Sequence, residues 1–230
     1  MKKFFFIFTL TFTHAFNIKP FNRQHLLKNV IGSTIISGAS ILLNKEIAIA
    51  DDSYIIEKKA NNIKFYGSLD VNSCHELTNA IDESIMENTN IGLLFSIEPP
   101  PITLEIQSEG GEVLPTLALV DKITNSNIPI YSVVNGFAAS SATLLSVVCK
   151  KRFMNKNSFM LLHKISGHME GKFADIQIEM DNMDKFMNTI KNIYIENSNI
   201  KLSDIDDILE NDNWIDADEC LKLGLIDAII

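Results

Sequence analysis

Apolar positions recur along this chain with two periods. Leu104-Glu105-Ile106-Gln107 alternates apolar and polar side chains, as a strand with one buried face does, then meets Gly110-Gly111 before the helical run Leu114 to Ile123. Pro129-Ile130-Tyr131-Ser132-Val133-Val134 is a second, β-branched strand; Asn135-Gly136 is its turn, and Ala138 to Leu145 opens a helix of small residues. Further strands are predicted near Ile63 to Tyr66, Leu93 to Phe95 and Phe159 to Leu162. Helices are predicted near Ser73 to Asn88, Ala174 to Ser198 and Asp216 to Leu223. Strand alternating with helix argues for an α/β fold, a mostly parallel sheet with packed helices. The stiff segment Glu98-Pro99-Pro100-Pro101 is a loop, and no internal repeat or low-complexity run interrupts the pattern.

The longest predicted helix carries Ile176, Ile178, Met180, Met183, Phe186, Met187, Ile190, Ile193 and Tyr194 around much of its circumference. One packed face needs less apolar surface than that.

Residues 1–50 follow another pattern. A basic start, Met1-Lys2-Lys3, leads into the apolar run Phe4 to Phe12 and the small-residue exit Thr13-His14-Ala15-Phe16, as in a signal peptide of about residues 1–15. The run is too short to cross about 30 Å of hydrocarbon. Residues 16–29 contain Lys19, Arg23 and Lys28 and no acid, a transit-like composition. A second apolar segment, residues 30–50, ends in Ala48-Ile49-Ala50 just before Asp51-Asp52. Residues 1–50 hold six Lys or Arg against one acid, a balance of +5, so residues 51–230 carry −14 of a total of −9. A basic leader and an acidic body are separate devices. The two-part leader resembles presequences of proteins sent to plastids bounded by extra membranes, with a thylakoid-transfer signal as its second part. The secretory pathway is the alternative. The remaining residues, 51–230, suffice for one domain with a sizeable core, and their acidity gives no reason to expect nucleic-acid binding.

The candidate chemistry sits at the ends of the strands. Glycine permits φ > 0 and removes the Cβ, so the turn at Ser108-Glu109-Gly110-Gly111 can aim backbone N–H groups at a developing oxyanion. Ser140, in Gly136-Phe137-Ala138-Ala139-Ser140, lies at the start of a helix, near the positive end of its dipole. His163, at the end of Met160-Leu161-Leu162-His163, is placed to leave the core and act on Ser140 as a general base. Any one of these stretches has an ordinary structural use: chain reversal, a helix cap, a hydrogen-bonded histidine. In combination they describe a serine hydrolase site.

From about Asn62 onward the chain resembles the proteolytic subunit of the Clp protease, the ClpP family, of the ClpP/crotonase-like fold. The family's Asn-Ser-Pro-Gly-Gly turn stands here as Gln107-Ser108-Glu109-Gly110-Gly111, and its Gly-x-Ala-Ala-Ser motif is intact at Gly136 to Ser140. The segments Lys151-Arg152-Phe153, Asn157-Ser158, Met160 to His163, Gly171, Asp175 to Ile178 and Gly224-Leu225-Ile226-Asp227 resemble further family motifs in order. The resemblance implies repeated ββα units, a long handle-type helix and a ring assembly. It makes Ser140 the nucleophile and His163 the general base, and gives the oxyanion the N–H groups of Gly111 and Ser141. It also implies a peptide or unfolded-protein substrate, with an ATP-driven unfoldase as partner for folded substrates. The chain itself has no Gly-x-x-x-x-Gly-Lys-Ser/Thr phosphate loop.

The third member of the triad departs from the family. Counted from His163 without a gap, the family's aspartate falls on Ile208, which cannot orient an imidazole. Asp212, on the same face as Ile208 if a helix runs from Asp204 to Asp212, and Asp207, reached by a one-residue shift, are the substitutes. Glu109 replaces the family's proline beside the oxyanion turn, where negative potential is unfavourable. Pro115 lies one turn after the glycines, where a helix start tolerates it. A non-catalytic subunit of a mixed ring and a crotonase-type acyl-CoA enzyme are the competing readings; the Ser140 and His163 pair speaks against both. Cys74, Cys149 and Cys220 have no metal-like spacing and are expected to be buried free thiols. No cofactor or metal is expected, and His75 and His168 have no evident partners in the sequence.

Overall fold

The computed structural model describes residues 46–50, 53–167 and 169–230. The predicted signal peptide and transit-like segment, and His168, lie outside the described residues.

The chain enters as an antiparallel meander, β1 (Glu46–Ala50), β2 (Tyr54–Lys59) and β3 (Asn62–Leu69). Ala48-Ile49-Ala50, the end of the second apolar segment, thus belongs to the edge strand, and the sheet starts five residues before Asp51. After β3 come α1 (Val71–Phe95), β4 (Ile102–Gly111), α2 (Val113–Thr124), β5 (Ile130–Ala139) and α3 (Ser141–Val147). Then follow β6 (Lys151–Met154), β7 (Phe159–Leu161), α4 (Phe173–Asn197), α5 (Ile205–Glu210), β8 (Trp214–Asp216), α6 (Ala217–Lys222) and β9 (Ala228–Ile229).

The strands form one sheet in the order β1-β2-β3-β4-β5-β6-β9, parallel from β3 onward. The expected mostly parallel α/β architecture is therefore present. β5 forks: residues 131–134 pair with β6, whereas residues 137–139 pair with β7, which in turn pairs antiparallel with β8. This fork places the ends of β5 and β7 side by side.

Alternation in β4 buries Ile102, Leu104 and Ile106 completely; they join Phe65, Leu77, Ile81, Leu119 and Leu145 in a single core. Each such side chain contributes about 1.5–3 kcal/mol by leaving water. Lys58 is buried among them at 2% exposure, and its ammonium is paired with Glu87 at 2.7 Å and Glu83 at 3.7 Å.

One predicted strand is wrong. Leu93-Leu94-Phe95 is the last turn of α1, ended by Ser96 in the left-handed region (φ 52). A three-residue apolar run has no period of its own, and here it is solvent-exposed at 68–74% rather than buried as a strand would be. The proline segment returns along the helix, with Asn88 Nδ2 donating to the Pro100 carbonyl at 2.8 Å. The long helix α4 runs 25 residues, of which only Ile190 and Tyr194 are buried, while Phe173, Ile178 and Met180 stand in solvent.

Two separated sequence motifs meet at the far edge. The Arg152 guanidinium grips Asp227 through Nη2 (2.6 Å) and Nε (3.2 Å) and donates to the Gly224 carbonyl at 2.7 Å. It holds the Asp227 carboxyl below the usual carboxylate range, chiefly by these hydrogen bonds.

Candidate active site

The centre of the site is the junction between β5 and α3. Ser140 stands at φ 55, ψ −131, a conformation that non-glycine residues avoid. Its N–H donates to the Leu161 carbonyl at 2.8 Å, a bond that exists because β5 and β7 are neighbours with Ala139 opposite Leu161. Although Ser140 occupies the N-cap position, its side chain makes no capping bond, which leaves the hydroxyl available. Sequence reasoning placed it in the first helical turn; it stands one residue earlier, at the strained turn itself.

The glycine turn presses directly on this junction. A Cβ on Gly110, at φ +89, would lie 2.6 Å from the Ala139 carbonyl oxygen and 2.8 Å from Ser140 Cβ. Only glycine allows that approach. Gly111 follows, and Ser141 Oγ donates to its carbonyl at 3.3 Å. The N–H of Ser141 belongs to the first turn of α3, where amides have no partner within the helix. The Glu109 carboxylate accepts from Ser68 Oγ at 2.6 Å and is absent from the walls of the adjoining cavity.

Two residues beyond β7 comes His163, half-buried. It shares with Ser140, Ser141 and Gly111 a cavity of about 80 Å³, closed by Val113, Leu144, Ile165 and the buried Ile190 and Tyr194 of α4. Among the described residues no hydrogen bond joins Ser140 to His163. The serine, the histidine and the two donor positions predicted from sequence are nevertheless gathered around one cavity.

The acidic candidates fare differently. α5 ends at Glu210, so the helix predicted to run to Asp212 is shorter, and the helical-face argument for Asp212 does not apply. Asp212 instead lies on the approach to β8. The β7–β8 register pairs Leu161 with Trp214; His163 comes two residues after the end of β7 and Asp212 two residues before the start of β8. Past the strand ends the Lys164 N–H donates to the Leu209 carbonyl at 3.1 Å, two residues out of step with the β7–β8 register. Asp207 is exposed on α5. Ile208 packs against the core, the expected place for an isoleucine and not for a triad acid. Among the described residues neither Asp207 nor Asp212 hydrogen-bonds to His163.

The cysteines offer no alternative nucleophile. All three are buried and free, as expected from the sequence, and burial pushes the thiols up, Cys74 to about 11 and Cys149 and Cys220 to about 12. No group of three or more His, Cys, Asp or Glu side chains among the described residues is arranged to hold a metal, and no helix there is long and apolar enough to cross a membrane. His75 sits on α1 with Asn79 at 3.3 Å and does not line the Ser140 cavity.

Sequence reasoning missed two neighbours. Thr143 hydrogen-bonds the Ser140 carbonyl, and Tyr194, counted only as an apolar helix position, hydrogen-bonds Thr143. A threonine in a small-residue helix and a tyrosine in an apolar stripe carry no signal until the tertiary fold joins them. Also unanticipated is an apolar groove of about 640 Å³ beside the site, walled by Phe137, Phe159, Leu161 and Trp214.

Comparison with known proteins shows the family. The family model described as Clp protease matches residues 57–230. The chain is 31% identical over 134 residues to ATP-dependent Clp protease proteolytic subunit 1 of Protochlamydia amoebophila (strain UWE25), an alignment covering 56% of this chain and 65% of that protein. It is 31% identical over 161 residues to the ATP-dependent Clp protease proteolytic subunit of Streptococcus pneumoniae (strain 70585), covering 67% of this chain and 82% of that one. The strained serine, the glycine turn pressed against it and the histidine that shares its cavity all fall inside the matched span, and the chain belongs to the Clp protease family.

Proposed function

We propose that the protein is a serine endopeptidase that hydrolyses unfolded proteins or short peptides, with Ser140 as nucleophile, His163 as general base and Asp212 as the orienting acid. One observation carries the reading: Ser140, uncapped and held in a strained turn, opens with His163 on a single cavity beside Gly111 and Ser141. In the acylation step His163 accepts the Ser140 hydroxyl proton as Oγ bonds to the scissile carbonyl carbon. The oxyanion is received by the N–H groups of Gly111 and Ser141, and the proton passes to the leaving amine as the C–N bond breaks. Water, deprotonated by the same imidazole, then releases the acyl group. Each oxyanion donor contributes about 3–4 kcal/mol in well-studied hydrolases.

Ring assembly is supported by the apolar, solvent-facing half of α4. An ATP-driven unfoldase partner follows for folded substrates, because hydrolysis at this site supplies no unfolding work. The basic leader, with its acid-free stretch over residues 16–29, supports delivery to a plastid, which the mature N-terminus read by mass spectrometry would test.

Intact-mass labelling with a fluorophosphonate tests the core of the reading. A single adduct is expected, lost in Ser140→Ala, retained in Ser141→Ala and strongly slowed in His163→Ala. A folded, assembled protein that takes no adduct would instead be a non-catalytic subunit of a mixed ring. That reading has one observation in its favour, the lack of a Ser140–His163 hydrogen bond among the described residues.

A further inference from the structure

A buried hydrogen-bonded chain connects the long helix α4 to the backbone of Ser140. Tyr194 is 2% exposed, and its hydroxyl lies 2.5 Å from Thr143 Oγ1. Thr143 Oγ1 donates in turn to the Ser140 carbonyl at 2.6 Å. A threonine hydroxyl has one proton. Since that proton goes to the Ser140 carbonyl, Tyr194 must be the donor in the first bond, and the direction of the whole chain is settled. Burial raises the Tyr194 phenol well above its ordinary range, so its proton stays in place at neutral and mildly alkaline pH. Within a dry interior each such bond polarises the next.

The chain ends on the residue that most needs holding. Ser140 stands in a sparsely populated backbone region, and its carbonyl accepts a second bond, from the Thr143 N–H at 3.1 Å. A serine free to relax at this position would adopt the extended backbone of an ordinary N-cap and turn its hydroxyl onto the first amides of α3. The hydroxyl would then be engaged in capping and lost to chemistry.

We propose that Thr143 and Tyr194 are positioning residues that hold Ser140 in its strained conformation and tie the reactive geometry to the placement of α4. The proposal rests on the reading of Ser140 as nucleophile. Neither side chain is assigned contact with a reacting atom; both act through the Ser140 carbonyl. What matters at position 143 is therefore the hydroxyl and not the volume.

The full chain and its Thr143→Val, Thr143→Ser, Tyr194→Phe and Ser140→Ala variants are compared by fluorophosphonate labelling rate, by kcat and KM on fluorescein-labelled casein, and by thermal unfolding. Thr143→Val keeps the shape and removes the donor; labelling and kcat are expected to fall about 10- to 100-fold, the cost of misplacing a reacting atom, with KM unchanged. Thr143→Ser restores most of the rate. Tyr194→Phe lowers kcat about 2- to 10-fold, the factor expected of one hydrogen bond. Equal rates for Thr143→Val and the parent overturn the positioning role while leaving Ser140 as nucleophile. Equal losses in Thr143→Ser and Thr143→Val reduce the effect to packing and overturn it as well. If Thr143→Val does not fold, Tyr194→Phe carries the test alone: a kcat loss at constant KM supports the proposal, and an unchanged kcat overturns it. A folded parent that takes no label overturns both the positioning role and the hydrolase reading.

Discussion

Replacing Asp212 by asparagine separates it from its rivals for the role of orienting acid. Asp212 lies just before β8 and His163 just after β7, two strands that pair with each other, whereas Asp207 sits on α5 and Ile208 packs against the core. As His163 gains a proton in the transition state, a carboxylate about 4 Å away stabilises it by about 1 kcal/mol in water and about 4 kcal/mol at the effective dielectric of a protein surface. Asp212 is solvent-exposed, so its effect lies inside that interval. Asp212→Asn is then expected to slow turnover about 10- to 1,000-fold, less than the roughly ten-thousandfold loss known for a buried triad aspartate. Asp207→Asn should leave the rate within about twofold, the usual size of a surface change. The assay is the second-order rate of fluorophosphonate labelling together with kcat on labelled casein, each normalised to folded protein. Equal losses in the two variants, or loss in Asp207→Asn alone, would refute the assignment of Asp212.

Three further outcomes follow from the geometry. Gly110→Ala would push a Cβ to 2.6 Å from the Ala139 carbonyl and 2.8 Å from Ser140 Cβ, and should abolish measurable labelling while costing about 1–3 kcal/mol of stability in a denaturant titration. The double variant Glu83→Gln/Glu87→Gln leaves the buried Lys58 ammonium without its counter-charges and should destabilise by about 3–5 kcal/mol, whereas Lys58→Met should be nearly neutral by the same titration. Arg152 depresses the Asp227 carboxyl, so this pair stabilises the fold fully above the unfolded carboxylate value of about 4 and progressively less as pH falls through the lower folded value. Thermal midpoints below pH 4 should therefore fall more steeply in the parent than in Asp227→Asn; parallel curves would contradict the linkage.

The sequence alone determined what depends on near neighbours. Period-2 alternation in Leu104 to Gln107, the glycine turn, the β-branched run Ile130 to Val134 and the apolar surplus of α4 are local patterns, and each names its element because backbone geometry repeats along the chain. The motifs around Gly111, Ser140 and His163 were legible for the same reason, since each lies at a strand end that periodicity can locate. Leu93 to Phe95 marks the limit of local reading: three apolar residues fit a strand or a helix, and only the continuation of α1 decides between them. Only the tertiary structure removed the helical-face argument for Asp212, because α5 ends at Glu210, and the pairing of β7 with β8 is a long-range event. The same holds for the strain at Ser140, which depends on Gly110 and Leu161 pressing from other strands, and for the contact of Tyr194 with Thr143 across 51 residues of chain. Short-range sterics are written in adjacent residues; hydrogen-bond partners far apart in sequence become neighbours only when burial of the core brings their elements together.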